Sequence, residues 1–121
     1  MKFARTVFQL AGVWGFIVLT PLYFTFDLVG RAYPPAITHS DMYYGFVGVT
    51  LVWQLAFLIV ATDPVRYRPI MIAAILEKLI YVATMTALYM RGRLQLGQFA
   101  VAFPDALLGL LFVVAFVKTP E

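Results

Sequence analysis

The chain has 121 residues, enough for a single domain, and its composition excludes an ordinary soluble one. Hydrophobic residues make up 63% of it and charged residues 12%, whereas soluble domains are about half apolar and about a quarter charged. The absence of cysteine excludes disulfides and thiolate metal sites, and His39 is the only histidine. With a net charge of +3 and no basic run, nucleic acid is not an expected partner. We predict no metal and no cofactor bound by this chain alone.

Four apolar stretches in chain order are each long enough to cross about 30 Å of hydrocarbon as a helix. They cover about residues 5–26, 43–62, 69–90 and 96–117. Helices satisfy their own backbone hydrogen bonds in lipid, whereas a barrel needs alternating segments of about ten residues. The sequence therefore predicts an all-α membrane protein, an antiparallel bundle of four transmembrane helices forming one domain over residues 1–121.

Prolines mark where these helices should be interrupted. Pro21 lies near the end of the first helix and should kink it or end it early, and Pro104 raises the same question in the fourth. Pro34 and Pro35 break the first loop, residues 27–41. The short turn 63–68 has prolines at its edges, so we expect the second and third helices to form a tight hairpin.

Basic residues at the helix ends indicate the orientation in the membrane. The end with both termini and the turn 63–68 carries five of them, and the other end carries three: Lys2, Arg5, Arg66, Arg68 and Lys118 against Arg31, Arg91 and Arg93. The excess favours cytoplasmic termini in a bacterial inner membrane. In the turn, Arg66 and Arg68 are candidates for contacts with lipid phosphates or with a partner protein.

Polar residues within the predicted helices fall on inward stripes. Glu77 and Tyr81 share a stripe of the third helix, and Thr50 and Gln54 share one of the second. Asp105 of the fourth helix lies about one turn from the level of Glu77. We predict that Gln54, Thr50, Glu77, Tyr81 and Asp105 form one polar cluster inside the bundle. The cluster either joins the helices by hydrogen bonds or binds a ligand or proton, and we favour the first.

Lys78 follows Glu77 directly, and adjacent helical residues point about 100° apart, so the two do not face each other. We expect Lys78 to reach along its helix towards Arg66 and Arg68, pair with a carboxylate, or meet a partner subunit, and we assign it to a lipid or partner contact. We expect the many aromatic residues, Trp14 among them, to pack in the core or against lipid, or to stack on a pigment, quinone or neighbouring subunit.

The chain resembles small bacterial four-helix inner-membrane proteins of the DoxX-like kind. The resemblance rests on four closely spaced helices, charges within the third and fourth, and the turn Asp-Pro-Val-Arg-Tyr-Arg-Pro at 63–69. It implies an accessory membrane protein and transfers no functional residue.

Without a recognisable catalytic motif, we expect an accessory or scaffolding subunit of a larger respiratory or photosynthetic membrane complex. Its partners would be the lipid bilayer and other membrane subunits or further copies of the chain. The alternatives are a membrane protein that binds or converts a lipid, sterol-like molecule or quinone, and a small oligomeric transporter. These hypotheses can be distinguished by whether the helix faces that carry Glu77 and Asp105 enclose a cavity or pack tightly together.

Overall fold

A computed structural model describes residues 2–33 and 37–120, and within these ranges the chain forms helices and no strand. The helices are α1 (Lys2–Leu19), α2 (Phe26–Ala32), α3 (Ser40–Thr62), α4 (Arg68–Met90), α5 (Leu96–Ala100) and α6 (Ala102–Lys118). A 3₁₀ segment, Thr20–Tyr23, extends α1, and α5 continues into α6. The four resulting spans, Lys2–Tyr23, Ser40–Thr62, Arg68–Met90 and Leu96–Lys118, are long and apolar enough to cross a membrane. The all-α four-helix membrane fold is confirmed.

Prolines explain why the first and fourth spans are not continuous α-helices. The first α-helix ends at Leu19, earlier than the predicted residue 26, because Pro21 has no N–H to donate to the carbonyl of Ile17. In the fourth span, Pro104 cannot donate to the carbonyl of Ala100, and the helix is interrupted at Val101. The loop predicted at 27–41 contains the unexpected helix α2, and the break predicted at Pro34 and Pro35 lies outside the described residues.

The helices do not pack in the predicted order. The main contacts join α1 to α3 and α4 to α6, α1 also packs against α6, and α3 touches α4 only slightly. The predicted tight hairpin of the second and third helices is therefore wrong. A short turn limits the distance between two helix ends but does not hold the rest of the helices together.

Glycines explain which helix pairs come close. A Cβ at Gly12 of α1 would lie 2.9 Å from the backbone oxygen of Gln54 in α3, and one at Gly109 of α6 would lie 3.0 Å from the Cβ of Lys78 in α4. Small residues allow such close approach in membrane helices. α4 contains no glycine. In α3, a Cβ at Gly45 would face open space and one at Gly48 would lie near Tyr23, so no glycine brings α3 close to α4.

The packed core occupies the half of the bundle that contains the chain termini. Phe8 of α1 stacks on Phe112 of α6 with ring centroids 4.4 Å apart, and Phe57 of α3 meets both rings edge-on. All three side chains are fully buried, and small residues such as Ala74 and Ala115 pack around them. Interlocking aromatic and small side chains close this half of the bundle.

Contacts at the two ends of the bundle show which helix ends lie close together. The Lys118 ammonium lies 4.7 Å from the ring centroid of Phe3, which brings the first and last helical turns to one end. At the opposite end, the Tyr43 hydroxyl donates to the carbonyl of Leu22 over 2.7 Å. The chain ends and the turn 63–67 therefore share one end of the bundle.

Arg68 joins the start of α4 to the end of α6. Its Nε donates to the carbonyls of Thr119 at 2.9 Å and Phe116 at 3.3 Å, and its guanidinium lies 3.8 Å from the ring centroid of Phe116. These carbonyls are among those that a helix C-terminus leaves without partners. Arg68 is therefore an interhelical cap. Its predicted contact with lipid or a partner, like that of the exposed Arg66, stays a prediction.

Candidate functional site

The half of the bundle away from the termini contains a cavity of about 680 Å³. Its walls come from all four spans, at the level of residues 14–22, 46–54, 77–84 and 101–105, directly beyond the aromatic core. Several wall residues keep a large exposed fraction, 62% for Ile80 and 45% for Phe46. Phe46 and Ile80 belong to α3 and α4, the pair with little mutual contact, so these two helices leave a lateral gap beside the cavity. The exposed wall residues of the other two spans include Trp14, Val18 and Val101.

The five residues predicted to form a polar cluster all lie on the wall of this cavity: Thr50, Gln54, Glu77, Tyr81 and Asp105. Gln54 is 2% exposed, and its Nε2 donates to the carbonyl of Thr50 over 2.9 Å. This bond lies within one helix. The predicted residues therefore line a shared cavity, and among the described residues no hydrogen bond joins α3 to Glu77.

The structure places Lys78 inside the bundle. It is 4% exposed, and its Nζ donates to Oδ1 of Asp105 at 2.9 Å and lies 3.7 Å from Oε1 of Glu77. Its ammonium also lies 5.3 Å from the ring centroid of Phe57. Lys78 therefore pairs with a carboxylate inside the bundle, which is one of the three placements that the sequence left open. Burying an ammonium beside a carboxylate costs less free energy than burying it unpaired in hydrocarbon. The ion pair with Asp105 therefore offsets part of the cost of burying Lys78.

The three charged groups are unequally accessible. The side chain of Lys78 is 5% exposed, whereas those of Glu77 and Asp105 are 22% and 27% exposed. The second oxygen of Glu77, Oε2, is sealed from solvent and has no hydrogen-bond partner. The ammonium is thus covered by its neighbours, and the charged surface that faces the cavity is that of two carboxyl groups.

Glycines also shape the cavity walls. A Cβ at Gly15 would collide with the side-chain amide of Gln54, so this glycine makes the room in which Gln54 lies. Gly109 likewise allows Lys78 to lie against α6, close enough to reach Asp105.

Sequence reasoning missed the contribution of the first span to the site. Trp14, Val18 and Leu22 line the cavity, but they are apolar residues in an apolar helix, and nothing in the sequence distinguishes them from core or lipid-facing residues. Lys78 carried a usable signal, because a lysine in mid-membrane requires an anion and the fourth helix supplies one. The polar stripe of the third helix also continues to Thr84, which lies on the same wall.

Comparison with models of protein families, with curated proteins and with solved structures finds no match to this chain. The resemblance to DoxX-like proteins stays a prediction from the sequence.

Proposed function

We propose that the protein binds a small amphipathic molecule, which it takes from the bilayer into the cavity between its four helices. The observation that carries the proposal is that Glu77 and Asp105 border a cavity of about 680 Å³ instead of packing shut. Interhelical hydrogen bonding alone needs no such space. Cavities of roughly 300–1,000 Å³ with apolar walls and a few convergent polar groups are the usual form of small-molecule sites.

The position of the lateral gap indicates the source of the ligand. The gap lies between α3 and α4, and the exposed residues beside it are apolar: Phe46 and Ile80. A molecule with a hydrocarbon portion can enter there without leaving the membrane. Its polar group would then lie at Glu77 and Asp105, where the bundle interior becomes charged.

Tryptophan fluorescence provides the test, because Trp14 lines the cavity and Trp53 packs against the core. Trp53→Phe leaves Trp14 as the only tryptophan of the chain. In lipid nanodiscs, a dibrominated stearyl alcohol should quench Trp14 with a saturable component. Thr50→Phe fills part of the cavity and should abolish that component.

Val49→Phe is the matched control, since Val49 is adjacent on the same helix, is 64% exposed and does not line the cavity. It should keep the saturable quenching. Quenching that rises linearly with probe concentration, equally in both variants, would reflect partition into lipid alone and would refute the proposal.

For its location, we propose a bacterial inner membrane with both termini in the cytoplasm. The excess of basic residues at the end of the bundle that carries both termini supports this orientation. Because the chain has no cysteine, Arg66→Cys and Arg93→Cys can be labelled one at a time in whole cells. An impermeant maleimide should label position 93 and spare position 66; the reverse pattern would overturn the orientation. Position 93 is preferable to Gly92, whose φ of 73° disfavours a side chain.

The hypotheses of an accessory subunit of a larger complex and of a small oligomeric transporter stay predictions. A subunit would require a partner, and purification in mild detergent tests for one. A protein that runs alone, remains folded and binds the brominated probe would favour ligand binding over the scaffolding role.

A further inference from the structure

We infer that the ligand's polar group is a cationic hydrogen-bond donor, so that the cavity selects an amphipathic amine over a fatty alcohol and over a fatty acid. The inference rests on the proposed function and goes further by naming the ligand's chemistry.

The first argument is the charge of the cavity wall. Among the described residues that line it, the charged ones are Glu77, Asp105 and Lys78, two acids and one base. Lys78 is hydrogen-bonded to Asp105, which leaves the carboxyl group of Glu77 with only the longer 3.7 Å contact. A carboxylate in a low-dielectric interior is costly without a nearby cation, and a ligand that brings a positive charge supplies a second cation to Glu77.

The second argument is which charges a ligand can touch. The ammonium of Lys78 is covered, with 5% of its side chain exposed, whereas Asp105 and Glu77 are 27% and 22% exposed. A fatty acid entering the cavity would therefore meet carboxyl groups and not the lysine. The same surface accepts hydrogen bonds from an amine.

The third argument is the aromatic lining. Trp14, Phe46 and Tyr81 come from three different spans and contribute to the wall of the same cavity. Aromatic faces attract cations, and the attraction increases where water is excluded. An alkylammonium group would thus find both carboxyl oxygens and aromatic rings within one space.

The experiment measures how well three probes displace the brominated alcohol from the cavity beside Trp14. The probes have alkyl chains of the same length and different polar groups: tetradecylamine, tetradecanol and tetradecanoic acid. The amine should displace it at concentrations at least about tenfold lower than the alcohol, corresponding to about 1.4 kcal/mol, and the acid should be the weakest. Equal displacement by amine and alcohol, or preference for the acid, would overturn the inference while leaving the proposed cavity binding intact. Failure of all three to compete would instead contradict the proposed function.

Glu77→Gln tests the residue assignment, because it removes the charge and keeps the shape. The amine's advantage over the alcohol should fall to about threefold or less, because the loss of the negative charge weakens amine binding more than alcohol binding. An unchanged preference for the amine in this variant would refute the role of Glu77. If the variant does not fold, the ranking of the three probes on the unaltered chain still decides the inference.

Discussion

Replacing Lys78 by methionine tests whether the buried ion cluster holds α4 and α6 together. The substitution keeps the length of the side chain and removes the ammonium, which leaves Asp105 and Glu77 facing each other without a cation. We expect Lys78→Met to destabilise the folded protein more than any exposed lysine substitution would.

The size of the effect follows from the burial of the pair. Polar contacts between membrane helices contribute on average only about 0.6 kcal/mol. Removing one partner of a buried ion pair costs about 3–5 kcal/mol, because the other charge stays buried. Since Lys78 is 4% exposed and lies 2.9 Å from Asp105, the second value applies. Asp105 is partly accessible, so we expect the lower end, about 3 kcal/mol.

The measurement is unfolding by sodium dodecyl sulfate in mixed micelles, followed by tryptophan fluorescence. A double-mutant cycle with Asp105→Asn should give a coupling of about 1–3 kcal/mol, because the two substitutions remove the same interaction. Lys2→Met, at an exposed position near the terminus, is the matched control and should leave the unfolding midpoint unchanged.

A loss below about 1 kcal/mol for Lys78→Met, with no coupling to Asp105, would refute the reasoning. It would mean that the lysine does not occupy the bundle interior and that its ammonium reaches the membrane surface instead, which is another of the placements that the sequence left open.

Two further predictions concern packing and capping. Gly15→Ala should cost about 1–3 kcal/mol in the same unfolding assay, because the new Cβ displaces Gln54. Gly45→Ala should be neutral or stabilising, because nothing lies within 4 Å of its Cβ. Equal effects of the two substitutions would contradict the close approach of α1 and α3. Arg68→Met should cost about 1–2 kcal/mol, because the hydrogen bonds to the end of α6 are lost. Arg66→Met, at an exposed position, should cost much less. Similar values for the two would show that Arg68 does not cap α6.

The sequence predicts the number and approximate limits of the spans because hydrophobicity and length decide membrane insertion residue by residue. It also identifies the polar residues of the site, since charges within a span stand out against apolar neighbours. Glu77 and Asp105, with Gln54, indeed line one cavity. This much depends on local composition and helical periodicity.

The order of helix packing does not follow from such local signals. The short turn after Thr62 suggested that α3 and α4 pair along their length, but the glycines at positions 12, 15 and 109 bring together other pairs. A glycine is informative only once its helix face and partner are known, since no described residue lies within 4 Å of a Cβ at Gly45. The cavity itself is a consequence of this order, so its apolar lining could not be anticipated.

The two carboxyl groups of the cavity differ in what they do for the fold, and a matched pair of amide substitutions separates them. Asp105 receives the only hydrogen bond that Lys78 donates among the described residues, at 2.9 Å, whereas Glu77 lies at 3.7 Å and its Oε2 has no partner. Asp105→Asn should therefore lower the unfolding free energy by about 1–3 kcal/mol, and Glu77→Gln by less than about 1 kcal/mol.

This difference bears on function, because a residue that contributes little to stability but lies at a cavity wall is free to serve a ligand. In the binding assay the order should reverse: Glu77→Gln removes most of the selectivity for the amine in a protein that unfolds almost as the unaltered chain does. The sequence favoured Glu77 as a contact between helices, in which case its loss would weaken the bundle. If Glu77→Gln destabilises as much as Asp105→Asn and leaves the ranking of the three probes unchanged, that structural role is correct and the ligand assignment is not.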